Sequence, residues 1–132
     1  MNDDLLSLVE RDVLGWPGTS SGPGRFGSVA FRYGRREIGH VHRDLIADLP
    51  VTQEMRERLL SGGRARPHRA GSRGYVSYPM ESREDASAVL EILRSNYERA
   101  KAAAERRVAG RAGDDASPCI SKTAPRVSLP NW

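Results

Sequence analysis

The sequence predicts an α+β fold in one domain, with a single mostly antiparallel sheet of about four strands packed with about three helices. Two observations predict this class. Alternating apolar residues flank short turn segments twice, which is typical of β-hairpins, and apolar residues recur at helical spacing in three other segments. The resulting order is helix, hairpin, helix, hairpin, helix. This order lacks the alternation of single strands and helices that builds a parallel sheet.

The first predicted element is an amphipathic helix near the N-terminus. Asn2 and Asp3 are suitable N-cap residues, and the helical pattern stops at Gly15 and Pro17. Residues 15–27 are rich in glycine and proline, so we expect a long loop there. Such a loop could cover a binding site.

The first hairpin is predicted to turn at Gly34 and Arg35. If these two residues form the whole loop, Val29 lies opposite His40. His40 and His42 are two residues apart in a strand and therefore share a face, which this register makes the apolar one. A slip of one residue would place both histidines on the opposite face.

A second helix and a second hairpin follow in the predicted order. Residues 44–50 are expected to connect the first hairpin to a helix that has Thr52 as its N-cap and Gly62 and Gly63 past its end. Residues 64–68 are predicted to be extended, and residues 75–78 to form the partner strand of the second hairpin.

The last helix has the clearest pattern in the chain. Ser82 and Asp85 form a capping box, and one apolar stripe continues to about Val108. We therefore expect one domain over residues 1–108, while residues 109–132 lose periodicity and are expected to form a disordered tail.

Composition restricts the classes of protein to consider. The 132 residues suffice for one domain, and 38% are hydrophobic and 29% charged, as in soluble globular proteins. We find neither an apolar run of bilayer length nor an export signal, so we expect a cytoplasmic protein without membrane contacts. The single cysteine, Cys119, cannot form an internal disulfide and has no identifiable role.

Positive charge is concentrated in the middle of the chain, where residues 25–73 contain eleven arginines against five acidic residues. Guanidinium groups match planar anions such as carboxylate and phosphate. The simpler interpretation is an ordinary solvated surface, and nucleic acid is not a favoured partner.

The three histidines fall in two short phrases and allow three interpretations. His40, His42 and His68 could bind a divalent metal such as zinc, iron or copper, with Asp44 or Glu37 nearby. One of them could instead act as a general base, since imidazole titrates near neutral pH. They could also be structural residues that form hydrogen bonds within the sheet.

Over about residues 26–100 the sequence resembles the luciferase domain, a small domain whose namesake members are fungal luciferases. The phrases that carry the resemblance are FRYGRREIGHVHRDLIADLP, GGRARPHR and GYVSYPM. Three positions depart from the pattern. Arg69 stands where a further histidine is common, Arg73 interrupts a Ser-Gly pair, and Tyr75 replaces a tryptophan.

The resemblance implies a function and a site. Fungal members of the family oxidise a hydroxylated pyrone with molecular oxygen, although light emission is not expected for this chain. The histidines of the two phrases match the family's histidine positions, and an adjacent positive group would steady the developing anion. The predicted catalytic residues are His40, His42 and His68, and the predicted substrate-binding residues are Glu37, Arg36, Arg66, Tyr75 and Tyr78.

Three functions follow as hypotheses. The first is a protein that binds a small organic molecule and oxidises or otherwise transforms it at the histidine cluster, with oxygen as a co-substrate and no cofactor assigned. The second is a noncatalytic binding or adaptor module with an arginine-rich surface for an anionic ligand, nucleic acid or protein. The third is a metal-dependent enzyme that uses the three histidines. The long last helix could pack within its own core or against a second copy.

Overall fold

The structure, a computed structural model, describes residues 2–116. Within these residues a single six-stranded sheet is accompanied by three α-helices, and every pair of neighbouring strands is antiparallel. The helices are α1 (Asn2–Leu14), α2 (Gln53–Gly62) and α3 (Arg83–Ala116), and the strands are β1 (Thr19–Pro23), β2 (Val29–Tyr33), β3 (Arg36–Val41), β4 (Ile46–Pro50), β5 (Arg66–Pro67) and β6 (Tyr75–Pro79). Their order in the sheet is β1-β2-β3-β4-β6-β5. The predicted α+β class is confirmed, with six strands instead of about four.

The two additional strands lie in segments that the sequence predicts to be irregular. β1 occupies part of the glycine-rich and proline-rich loop, and its place at the edge of the sheet tolerates both Gly22 and Pro23. β4 occupies the predicted connection before α2 and is central in the sheet. Its last four residues are all buried, as is common for a strand in the middle of a sheet.

The first hairpin turns at Gly34 and Arg35 as predicted, but its register changes after the turn. A β-bulge shifts the pairing by one residue, so that His40 lies opposite Ala30. The predicted pairing of His40 with Val29 is therefore wrong. As a result, His40 lies on the face of the sheet opposite to the apolar face on which the sequence predicts it.

The hydrophobic core lies between one face of the sheet and α3. Phe31, Leu49 and Leu93 are fully buried there. Gly39 permits the close approach of α3, since an added Cβ atom would lie 2.6 Å from a Leu93 methyl carbon and 2.9 Å from a Leu49 methyl carbon.

Two polar side chains of α3 tie this helix to the rest of the molecule. The buried amide of Asn96 donates hydrogen bonds of 2.9 Å to the backbone carbonyls of Ile38 and Pro50. The Tyr97 hydroxyl donates a hydrogen bond of 2.7 Å to the carbonyl of Pro17. These bonds fix the position of α3 along strands β3 and β4.

The predicted N-caps of α2 and α3 are confirmed. The Thr52 hydroxyl accepts a hydrogen bond from the backbone N–H of Met55, and the Ser82 hydroxyl accepts one from the N–H of Asp85. Gly62, predicted to lie past the end of α2, is instead its last residue, with Gly63 as the cap, and Asn2 and Asp3 lie within α1. Helix α3 continues past Val108 to Ala116, and the remainder of the predicted tail, residues 117–132, lies outside the described residues. None of the helices within residues 2–116 contains a stretch that is long and apolar enough to cross a membrane.

Candidate functional site

A cleft of about 820 Å³ opens on the face of the sheet opposite to α3. That volume is typical of a pocket for a small molecule. Strands β3, β4 and β6 supply its floor, and the segments before β2, between β3 and β4, and between β5 and β6 supply its sides. Its lining consists of Gly24, Arg25, Phe26, Glu37, His40, His42, Arg43, Asp44, Asp48, His68, Arg69, Ala70, Ser72 and Tyr75.

The centre of the floor is the buried carboxylate of Asp48. Its Oδ2 atom lies 2.7 Å from Nε2 of His42, 3.3 Å from Nε2 of His40 and 3.6 Å from Nε2 of His68. All three histidines of the chain therefore converge on one oxygen atom. We call these four residues the histidine–aspartate cluster.

The register of the sheet assembles the cluster. His40 lies opposite Asp48 across β3 and β4, and Asp48 lies opposite Ser77 across β4 and β6, so the three side chains share one face. The bulge in β3 also matters because Glu37 and His40, three residues apart, would point to opposite faces of a regular strand. With the bulge between them, Nδ1 of His40 lies 2.7 Å from Oε2 of Glu37.

Electrostatic interactions within the cluster favour the charged forms of Asp48 and His40. Burial alone would raise the pKa of Asp48, but hydrogen bonds from His40, Ser77 and His42 outweigh it and hold the pKa below its usual range. Hydrogen bonds to Asp48 and Glu37 outweigh burial at His40 and raise its pKa to about 9. In the metal-free protein His40 is therefore an imidazolium at neutral pH.

His68 reaches the cluster from the loop between β5 and β6. The backbone N–H groups of Ala70 and Ser72 donate to Nδ1 of His68 over 3.3 Å and 3.4 Å. This leaves the proton of the neutral ring on Nε2, which points to the cluster. Tyr75 packs beside it, with ring centroids 5.3 Å apart, and burial together with the nearby carboxylates raises the pKa of Tyr75 to about 12.

Arginine side chains dominate the rim of the cleft. Arg25, Arg43 and Arg69 line it, and Arg69 forms an exposed ion pair of 3.0 Å with Asp44. Phe26 also lies at the rim and is 88% exposed, with a left-handed backbone at φ 57°. Residues held in such costly backbone conformations cluster at active sites and ligand-binding segments.

Six of the residues predicted from the sequence line the cleft, and three do not. Tyr78 is buried in the core on the opposite face, Arg36 lies at the start of β3 opposite Tyr33, and Arg66 is exposed on the short strand β5. The residues brought together are Glu37, His40, His42, Asp44, His68 and Tyr75.

Sequence reasoning missed Asp48, the residue on which the cluster is centred. The available signal was an acidic residue between Ala47 and Leu49, which are both fully buried. That pattern is typical of a strand with one apolar face, but the segment was interpreted as a connection. Arg43 and Arg69, which line the rim, were missed because their positions depend on loop conformations.

The donor set of the floor permits two kinds of chemistry. Imidazoles beside a carboxylate can transfer protons. His40, His42 and Asp48 also offer one donor atom each within 4.8 Å of one another, as a divalent metal requires. Asp44, proposed from the sequence as a metal ligand, instead accepts hydrogen bonds from the backbone of Ile46 and from Arg69.

Residues 35–96 match the family model of the luciferase domain. This segment of the chain is similar to a luciferase domain. The matched segment covers strands β3 to β6, helix α2 and the first part of α3, and it includes the whole histidine–aspartate cluster. No curated protein and no solved structure matches the chain at a significant level.

Proposed function

We propose that this luciferase-domain protein binds a small planar organic molecule with an acidic hydroxyl group and oxidises it with molecular oxygen. One observation carries the proposal: three imidazoles surround a buried carboxylate at the floor of a cleft of about 820 Å³. The family match adds support, since the resemblance implies oxidation of a hydroxylated pyrone. The noncatalytic interpretation assigns no role to this convergence of titratable groups.

The rim suits the anionic form of such a molecule. Arg25, Arg43 and Arg69 line the cleft above the cluster, and guanidinium groups form charge-assisted hydrogen bonds with an anionic oxygen. Phe26 and Tyr75 offer aromatic surface for a planar ring. A molecule with one acidic hydroxyl on a planar ring would therefore find both charge and stacking partners.

The proposed reaction begins with ionisation of the acidic hydroxyl group, whose proton passes to solvent, and the arginines of the rim stabilise the anion. The enolate that remains is rich in electrons at the adjacent carbon. Oxygen accepts two electrons from that carbon as a C–O bond forms. The resulting peroxide anion takes up the proton that the cluster holds, and no other oxidant is needed.

The test uses triacetic acid lactone, a simple hydroxypyrone, with the full chain. We expect saturable binding by calorimetry and oxygen uptake at an electrode, and we expect His42→Ala to reduce that uptake at least about 100-fold. The methyl ether of the lactone, which cannot ionise, is the matched control ligand and should support no uptake. Absence of both binding and uptake for the lactone and related hydroxylated rings would overturn the proposal.

The same samples test the noncatalytic alternative, for which the arginine rim is the favouring observation. An anion-binding module would bind inorganic phosphate, lose about tenfold in affinity on Arg43→Ala or Arg69→Ala, and be unaffected by His42→Ala. That pattern without oxygen uptake would replace the proposed enzymatic function. Circular dichroism near that of the wild type is required of each variant.

A further inference from the structure

We infer that His40, His42 and Asp48 form a site for one divalent transition-metal ion. Two imidazoles and one carboxylate on one face of a site are the donor set of iron(II) oxygenases, which leaves coordination positions open. The inference names a cofactor for the cleft described above and rests on the proposed function only for the chemistry that the ion would serve. Binding of the ion is testable without any substrate.

Distances between the donor atoms support the site. Oδ2 of Asp48 lies 3.3 Å from Nε2 of His40 and 2.7 Å from Nε2 of His42, and the set lies within 4.8 Å. Ligand atoms at about 2.0–2.2 Å from one ion are separated from each other by about 2.9–4.2 Å. The two separations from Asp48 therefore lie within that range or close to it.

The partners of the donor groups are those of a metal site. Glu37 accepts from Nδ1 of His40 over 2.7 Å, which leaves the lone pair of the neutral ring on Nε2 for an ion. The Ser77 hydroxyl donates to Oδ1 of Asp48 over 2.7 Å, which leaves Oδ2 available. Glu37 and Ser77 thus orient His40 and Asp48 through the atoms that would not coordinate the ion, Nδ1 and Oδ1.

Charge and burial favour a cation at this position. The carboxylate of Asp48 is 5% exposed, and that of Glu37 lies on the other side of the His40 ring. A buried carboxylate is costly without compensating positive charge. In the metal-free protein the protonated ring of His40 supplies that charge, and a divalent ion bound to Nε2 would take the place of the proton.

His68 belongs to the cluster but not to the ligand set. Its Nδ1 accepts hydrogen bonds from the backbone N–H groups of Ala70 and Ser72, so the proton of the neutral ring lies on Nε2. A protonated nitrogen cannot coordinate a metal. His68 is instead placed to donate a hydrogen bond to a group bound to the ion, and the positions without protein ligands face the cleft.

The test is a titration of the full chain, freed of its affinity tag and of metal, with cobalt(II) in competition with zinc(II). We expect one equivalent to bind, with the visible absorption of a nitrogen- and oxygen-coordinated cobalt ion. His42→Ala and Asp48→Asn should each weaken binding at least tenfold, and Glu37→Gln, outside the ligand set, about tenfold. Asp44→Asn is the matched carboxylate control and should bind as the wild type does.

Three results would overturn the inference. They are no stoichiometric binding by the wild type, binding unchanged by Asp48→Asn, and a loss on His68→Gln as large as that on His42→Ala. If Asp48→Asn fails to fold, Glu37→Gln and the wild-type absorption spectrum decide the question. Oxygen uptake by metal-free protein with triacetic acid lactone would contradict a role of the ion in the reaction and leave the proposed function standing.

Discussion

The two faces of the sheet differ in composition, since one is apolar and the other carries a row of polar side chains. On the face against α3, Phe31 and Leu49 are fully buried in an apolar core. On the opposite face one register row passes through His40, Asp48 and Ser77, all polar. Apolar burial stabilises a fold in proportion to area, whereas a buried polar row contributes little net stability. The comparison indicates that the polar face is arranged for a ligand.

The buried polar side chains of Asn96 and Asp48 show the same difference between the two faces. Asn96, on the core face, donates both amide hydrogens to strand carbonyls and has a structural task. Asp48, on the polar face, is surrounded by groups that can change protonation or ligation, namely His40 and His42. Substitutions on the core face should therefore change stability, and substitutions on the polar face should change binding.

The largest effect on stability is expected from Leu93→Ala. Leu93 is fully buried between α3 and the sheet, and removal of its side chain leaves a cavity. We expect a decrease of about 2–5 kcal/mol in the free energy of unfolding. Urea unfolding followed by circular dichroism measures it. A loss of less than about 1 kcal/mol would show that this face is not the core.

A smaller loss is expected from Asn96→Ala. The change leaves the backbone carbonyls of Ile38 and Pro50 without their buried donor. We expect about 2–3 kcal/mol of destabilisation, with cobalt binding retained by the folded fraction. Ser95→Ala, one residue away on the same helix, is the matched control. An equal effect of both substitutions would contradict the structural role of Asn96.

The polar face should make stability depend on pH in the metal-free protein. Hydrogen bonds to Asp48 and Glu37 raise the pKa of His40 from 6.5 to about 9, so the folded state binds the proton more tightly than the unfolded state does. The contribution of the protonated His40 to the free energy of unfolding is complete below pH 6.5 and is lost as the pH rises through 9. We expect a decrease on the order of 2 kcal/mol across that window. Urea unfolding at several pH values measures it, and the decrease should disappear in His40→Gln.

The smallest effect on stability is expected from Phe26→Gly. Phe26 is 88% exposed and has a left-handed backbone, which glycine adopts without strain. The relief of strain offsets the added flexibility of the unfolded chain, so we expect a change below about 0.5 kcal/mol. Binding of triacetic acid lactone should weaken severalfold if the ring covers the ligand, whereas Phe26→Tyr should preserve it.

Local patterns in the sequence predicted much of the core face. The N-caps of α2 and α3 and the turn at Gly34 depend on neighbouring residues, and the structure confirms them. The bulge in β3 was not predictable in this way, and next to it Gly39 packs against Leu93, 54 positions later in the chain. That bulge reverses the face on which His40 lies.

The polar face was predicted only in part, because its residues come together through the pairing of strands that are separate in the sequence. The two histidine phrases gave the candidates, but their common partner, Asp48, required the pairing of β4 with β3 and β6. Sequence spacing does not reveal which strands become neighbours. The short edge strand β1 was hidden by its Gly22 and Pro23, which oppose strand formation except at an edge.

The most direct test of the account measures stability and function on one variant, His42→Ala. If the polar face serves a ligand, the free energy of unfolding should stay within about 1 kcal/mol of the wild-type value. Oxygen uptake with triacetic acid lactone should fall at least about 100-fold in the same sample. A loss of more than about 3 kcal/mol in stability with unchanged uptake would contradict the account and make the cluster a structural element.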